Sequence, residues 1–279
     1  MICMAFTSYS KVGDHLTIFH WVGLKNFSTV LGMGNSIGKT FWSVLGWTLI
    51  WAVLATFLNY ILGMILAIVI NRKTTRIKGF WRFCFMLSAA IPQFVSLLLM
   101  RTMLKDNGLI KQPLGSGRSD QQSASVPDKC DLGESNGCYH QPLVGIPFTM
   151  MQVTGILQNI PGELYEAARV DGAGPVTIFF KITLPYMLFV TTPYLITTFT
   201  GNINNFNVIY LLTAGAPVPV GATAGKTDLL VTWLYKLTVD LQYFNVGAVV
   251  GILTFVILAV VSLITYRNTG SYKNEEGFQ

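Results

Sequence analysis

The chain has 279 residues, of which 52% are hydrophobic and 11% charged, where a soluble domain carries about 25% charged residues. Its net charge of +6 would suggest a nucleic-acid partner in a soluble protein. Here the basic residues stand between apolar runs, so the excess reads as loops flanking membrane spans, with no nucleic acid bound.

Met1 to Thr7 is apolar but far too short to cross a bilayer. It reads as the end of a helix cut short, with a mere tail as the alternative, and residues 8–39 are mixed and polar. Thr40 to Asn71 then holds no Asp, Glu, Lys or Arg. As a helix that run would reach about 48 Å, more than the roughly 30 Å hydrocarbon core needs. The first full span is placed at 41–70. Arg72, Lys73, Arg76, Lys78 and Arg82 follow with no acid among them. A second span, 83–100, is interrupted by Pro92. Residues 101–142 are polar and irregular, a weak apolar stretch occupies 143–160, and 161–185 is polar again. Further spans are expected at 186–212 and 246–266, separated by a long loop, 213–245, rich in Gly, Ala, Thr and Pro. The expected fold is an all-α integral membrane protein, a polytopic helical bundle of about five to six transmembrane helices. Residues 1–40 would hold the remnant of a first helix and an extracellular segment, and 41–279 the transmembrane domain.

Dense positive charge at 71–82 marks that loop as cytoplasmic. Alternation then puts 161–185 and the C-terminus inside, and 101–142 and 213–245 outside. Cys3 and Cys84 lie in apolar sequence and are expected to be inert packing residues. Cys130 and Cys138 fall in an outside stretch where a disulfide is chemically possible. No metal-ligand spacing and no Gly-x4-Gly-Lys-Ser/Thr phosphate loop occurs, so no cofactor is expected and the chain is not itself an ATPase.

Pro161 to Pro185 carries the most specific pattern. It reads as two short helices and a turn. Pro161, Glu163 and Glu166 suit the positive start of a helix, and Leu164, Ala167, Ala168 and Asp171 recur on one face. Gly172 and Gly174 can take positive φ and end the first helix. Pro175 can open a second, and Pro185 marks its boundary with the next span. An amphipathic linker lying on the membrane is the plain alternative. Its acidic face sits badly against anionic lipid, however, and its paired alanines suit a protein groove better. The spacing Glu166-Ala167-Ala168, three residues, Gly172, nine residues, Ile182, any residue, Leu184-Pro185 resembles the cytoplasmic loop of ABC importer permeases. That resemblance implies a coupling helix seated in a cleft of a separate ATPase, with Glu166, Ala167, Ala168, Asp171 and Gly172 at the contact. More of the chain is similar to the larger permease subunit of maltose/maltodextrin importers: Phe6 to Tyr9, Trp21 to Phe27, Gly145 to Ile209 and Lys226 to Trp233.

Asn202, Asn204, Asn205 and Asn207 stand inside the otherwise apolar 186–212 span. Unpartnered amides in hydrocarbon cost several kcal/mol each, so they must face other helices or a water-filled cavity. Amides that donate and accept suit sugar hydroxyls, and they equally suit helix–helix hydrogen bonds. The resemblance favours the sugar, because the family's maltose-binding positions fall on Val144, Gly145, Phe148, Thr198, Gly201, Asn202 and Asn205. Gly201 replaces a phenylalanine of the best-known member. The implied function is passage of a maltodextrin-like oligosaccharide by alternating access. Expected partners are an ATPase pair, a second permease subunit and an extracellular sugar-binding protein. Another sugar or polyol is the alternative within the class. An intramembrane enzyme should place ionisable residues in its spans, and a channel has no use for the Glu166–Pro185 pattern. Residues 115–142 resemble nothing in the family. Either they are an unusual extracellular insertion, or 115–143 is read out of frame, since codons for His140 to Leu143 shifted by one base can encode Ile-Asn-Leu-Trp.

Overall fold

The protein's structure, a computed structural model, describes residues 2–8, 20–72, 75–104 and 130–267, with the backbone alone at 88, 89, 104 and 130–144. Its backbone is almost wholly helical. The one sheet among the described residues is a two-residue antiparallel ladder, β1 (Thr7–Ser8) against β2 (His20–Trp21). After the short α1 (Lys25–Leu31), the uncharged run forms α2 (Ser36–Asn71). On α2, Ile50, Val53, Phe57, Ile61, Ile65 and Val69 are exposed, while Trp51, Ala52, Ala55, Tyr60, Met64 and Ala67 are buried. Steps of three and four residues place these on opposite faces. An apolar stripe that long on the outside is what lipid, and not water, accommodates. At its end, the orphan carbonyls of a helix terminus find donors. The Thr75 hydroxyl donates to Val69 O at 2.7 Å and Lys78 Nζ to Asn71 O at 3.1 Å.

The next span is split, as its proline requires. α3 (Lys78–Ala90) and α4 (Gln93–Leu104) flank Ile91, whose extended backbone (φ −75°, ψ 125°) is the conformation a residue before proline is driven to. α5 (Cys130–Asn159) follows. It overturns the expectation of irregular chain through 142: a backbone in hydrocarbon must satisfy its own hydrogen bonds, and the helix extends back from the apolar 143–160 stretch into polar sequence. Residues 115–129 lie outside the described residues. Next come α6 (Gly162–Val170), α7 (Pro175–Ile178), a π-helical turn (Phe179–Thr183) and α8 (Leu184–Ile203).

The 186–212 span is not one helix. It breaks after Ile203, and α9 (Phe206–Leu212) restarts with Asn205 as its cap. Nor is 213–245 all loop, because Leu230, Trp233 and Leu237 recur at helical spacing. They are buried by α10 (Leu230–Tyr235) and the π-helical turn Lys236–Asp240. α11 (Phe244–Arg267) closes the described chain. Among the described residues, three helical stretches are long and apolar enough to cross a membrane: Ser36–Asn71, Pro175–Leu212 and Phe244–Arg267. The expected membrane fold is the one observed. Cys3 and Cys84 depart from expectation: both are exposed and not packed, each on the outward side of its helical turn.

The chain forms two compact units. In the unit comprising 1–52, 92–140 and 202–258, the core gathers Ala5, Phe41, Leu230, Trp233, Leu237 and Val249. Asn26 Nδ2 donates to Ala5 O and Thr7 O, both at 2.9 Å, which pins the opening residues to α1. Gly247 and Gly251 of α11 lie one turn apart, and a Cβ at Gly247 would stand 2.5 Å from Thr238 Cγ2. Small residues thus let the Lys236–Asp240 turn approach α11 closely. In the unit comprising 53–91, 141–201 and 259–279, Tyr60, Met64, Ile70, Met150, Val153 and Met187 form the core. Here α2 and α5 cross at glycines. A Cβ at Gly63 would lie 2.8 Å from the Thr149 side chain, and one at Gly145 would lie 2.5 Å from Asn59 Nδ2. Tyr60 Oη and Thr191 Oγ1 share a hydrogen bond of 2.7 Å, and Asn71 Nδ2 donates to Thr154 Oγ1 at 3.2 Å. Such interhelical bonds contribute about 0.6 kcal/mol each in a membrane.

Candidate functional site

The residues expected to couple lie on one exposed element and the turn that follows it. No residue of α6 is buried, and Glu163 near its start and Arg169 near its end match the helix dipole. Glu166, Ala167 and Asp171 are exposed and Ala168 is half-buried. The turn is built as expected at Gly172, which has φ +76°. There Gly172 N donates to Arg169 O at 3.0 Å and Ala173 N to Ala168 O at 2.9 Å, closing the helix end. Gly174 differs. Its φ of −72° and ψ of 163° belong to the extended region, because it is the N-cap of α7 and caps sit there. Pro185 is likewise no boundary. Leu184 N bonds back to Phe179 O, and this wide turn keeps the chain helical where proline supplies no N–H. Tyr165 Oη and Thr183 Oγ1 share a bond of 3.2 Å and tie α6 to that turn.

The sugar candidates fall into two groups, one in each unit. Gly145, Phe148, Thr198 and Gly201 belong to the second. Phe148 on α5 is 53% exposed. Its ring lies 6.3 Å from that of Tyr194 on α8, tilted by 43°, and Tyr194 Oη shares a 2.9 Å bond with Thr149 Oγ1. Thr198 and Gly201 follow Tyr194 on the same face of α8. Thr198 is half-buried and makes no side-chain hydrogen bond among the described residues, and nothing stands within 4 Å of a Cβ at Gly201. An aromatic pair beside an unbonded hydroxyl and an open glycine can cover a pyranose face and reach its hydroxyls. Gly145 instead faces Asn59, the close helix crossing given above. For Val144, only the helical backbone is described.

In the other unit, Asn202 is 3% exposed and hydrogen-bonded or in contact. Asn205 accepts from Val208 N at 3.2 Å and caps α9, so its side-chain oxygen has a structural task. Asn204 and Asn207 are exposed.

Sequence reasoning missed Tyr194 and Asn59. Tyr194 precedes Thr198 by one helical turn, a spacing that pointed to it. It also missed a polar knot at Asp228. The Asp228 Oδ2 atom accepts from Lys236 Nζ and Gly225 N, both at 2.7 Å, and Oδ1 from Thr232 Oγ1 at 3.0 Å. The Asp228 side chain is fully buried and that of Lys236 is 14% exposed. An aspartate one turn and then two turns before a hydroxyl and a lysine was the available signal.

Residues 59–269 match the family described as binding-protein-dependent transport system inner membrane component. The chain belongs to this family. The match includes α6, the turn at Gly172 and every candidate sugar residue. The maltodextrin transport system permease protein MdxF of Bacillus subtilis is 38% identical over 93% of the chain and 61% of that relative. The galactooligosaccharides transport system permease protein GanP of the same organism is 36% identical over 98% of the chain and 65% of that relative. The chain therefore spans less than two thirds of the length of either. A solved bacterial alginate ABC transporter, in complex with an alginate pentasaccharide-bound periplasmic protein, has the same fold. It is 19% identical with a TM-score of 0.66, over 86% of this chain and 83% of that one.

Proposed function

We propose that this permease-family chain is a membrane-spanning subunit of an ATP-driven importer that passes maltodextrin-like oligosaccharides into the cell. The exposed α6 and its glycine turn carry the reading. A helix with no buried residue, fixed from behind by Tyr165, is built to be gripped by something else. In this reading α6 enters a cleft of an ATPase pair, which hydrolyses ATP on its own subunits. Closure of that pair on Glu166, Ala167, Ala168, Asp171 and Gly172 drives alternating access. The coupling segment and C-terminus face the cytoplasm, consistent with the basic run at 72–82. A second permease subunit completes the path, and an extracellular sugar-binding protein delivers the sugar. Phe148, Thr198 and Gly201 line the sugar's route in their unit, and Val144, Gly145, Asn202 and Asn205 are the other residues assigned to sugar binding by the family resemblance.

The identity of MdxF favours maltodextrin, and that of GanP favours a galactose-containing oligosaccharide as the second reading. Uptake by the reconstituted assembly of labelled maltotriose and galactotriose, each competed by the other, tests both. Maltotriose uptake that needs ATP is the expected result. Uptake of galactotriose alone would transfer the assignment, and uptake of neither would refute it.

A further inference from the structure

Behind the coupling segment lies a cavity of about 800 Å³. Much of its lining is apolar, including Ile65 and Val69 from the last turns of α2, Val176 of α7 and Phe180 just after it. These four are 51%, 45%, 69% and 60% exposed, so the cavity is continuous with the outward apolar stripe of α2. The lining also carries Arg72, Arg169, Asn71 and Tyr165, and no Asp or Glu belongs to it. Neither arginine has a side-chain hydrogen bond or an ion pair among the described residues. Two further cations stand at the same helix end, where Lys78 Nζ bonds Asn71 O and Arg82 Nη2 bonds Asn71 Oδ1. Glu163 and Glu166 are on α6 too, but do not line the cavity.

We infer that this cavity binds an anionic phospholipid. Its phosphate lies between Arg72 and Arg169, and an acyl chain runs along Ile65, Val69 and Phe180. Guanidinium groups fork onto phosphate oxygens in two-point hydrogen bonds, and basic pockets beside membrane helices are suited to acidic headgroups. A free phosphate ester would leave the apolar lining wet. A zwitterionic lipid brings its own cation against two arginines. A neutral sugar would leave both guanidinium groups without a counter-charge. The bound lipid would brace α6 against the end of α2, so headgroup charge would bear on the segment that projects from the membrane. The inference rests on the membrane fold and not on the proposed sugar or ATPase roles.

The test uses the whole assembly in nanodiscs of phosphatidylglycerol and phosphatidylcholine in equal parts, followed by native mass spectrometry of lipids retained on this chain. The wild type is expected to keep phosphatidylglycerol in preference, and Arg72→Gln with Arg169→Gln to lower that adduct about tenfold. Val176→Trp, which fills the cavity and keeps both arginines, is expected to lower it too. Excess glycerol phosphate is expected not to displace it. Equal retention of the two lipids, or an undiminished adduct in the arginine variant, overturns the proposal. Displacement by glycerol phosphate overturns it as well and assigns the cavity to a soluble phosphate ester.

Discussion

At Gly172, φ is +76° and nothing lies within 4 Å of a built Cβ, so the position needs glycine for its dihedral and not for room. Gly172→Val should cost about 1–2 kcal/mol in a left-handed conformation and misdirect the proposed coupling segment. We expect uptake to fall while the protein still reaches the membrane. Gly172→Asn, which tolerates this region, should keep most of it. Transport assays beside membrane-fraction blots check both, and normal uptake by the valine variant would remove the turn from the mechanism. Asp228 makes a different prediction. Asp228→Ala leaves Lys236 without its counter-ion in a nearly closed setting, and loss of one partner of such a pair costs about 3–5 kcal/mol. The expected readout is a lowered Tm in detergent, and an unchanged Tm would show the pair to be dispensable. Gly172 was legible in the sequence because its spacing from Glu166 and Pro185 is local. Asp228 was legible only in its helical spacing to Thr232 and Lys236, because the Gly225 amide reaches the same carboxylate only through the folded loop.

Among the elements, α2 and α11 were readable because unbroken apolar runs leave a helix no competitor in hydrocarbon. The break at Ile91 was readable from Pro92. The break between α8 and α9 was not, because Asn205 serves equally as a polar residue within a helix or as the cap of a new one. α10 was hidden by the Gly- and Pro-rich stretch around it. α5 remains the element at odds with its own sequence. Its first turns run through Asp131, Gly133, Glu134 and Gly137: the aspartate and glycines disfavour a helix, and the two acids disfavour a bilayer. We propose that 115–143 is out of frame, and expect the coding DNA to yield an uninterrupted apolar segment when read one base over. If no shifted frame does so, the segment is a genuine insertion.

For the whole molecule, the proposed orientation is open to a direct experiment. In a background with all cysteines replaced by serine, Thr177→Cys and Val220→Cys are both exposed positions. An impermeant thiol reagent on intact cells is expected to label position 220 and spare 177. The reverse pattern would invert the topology, and with it the assignment of α6 to the cytoplasm. The glycine crossing of α2 and α5 bears on how such a molecule could work. Thr149 and Asn59 fill the space where side chains at Gly63 and Gly145 would be, so α2 and α5 interlock closely at this crossing. α5 ends at Asn159 and α6 begins at Gly162, so a push on α6 reaches α5 with almost no intervening linker. Transmission in the proposed mechanism would then be free of backlash: displacement at α6 would arrive at Phe148 as movement of a single strut rather than being absorbed between two.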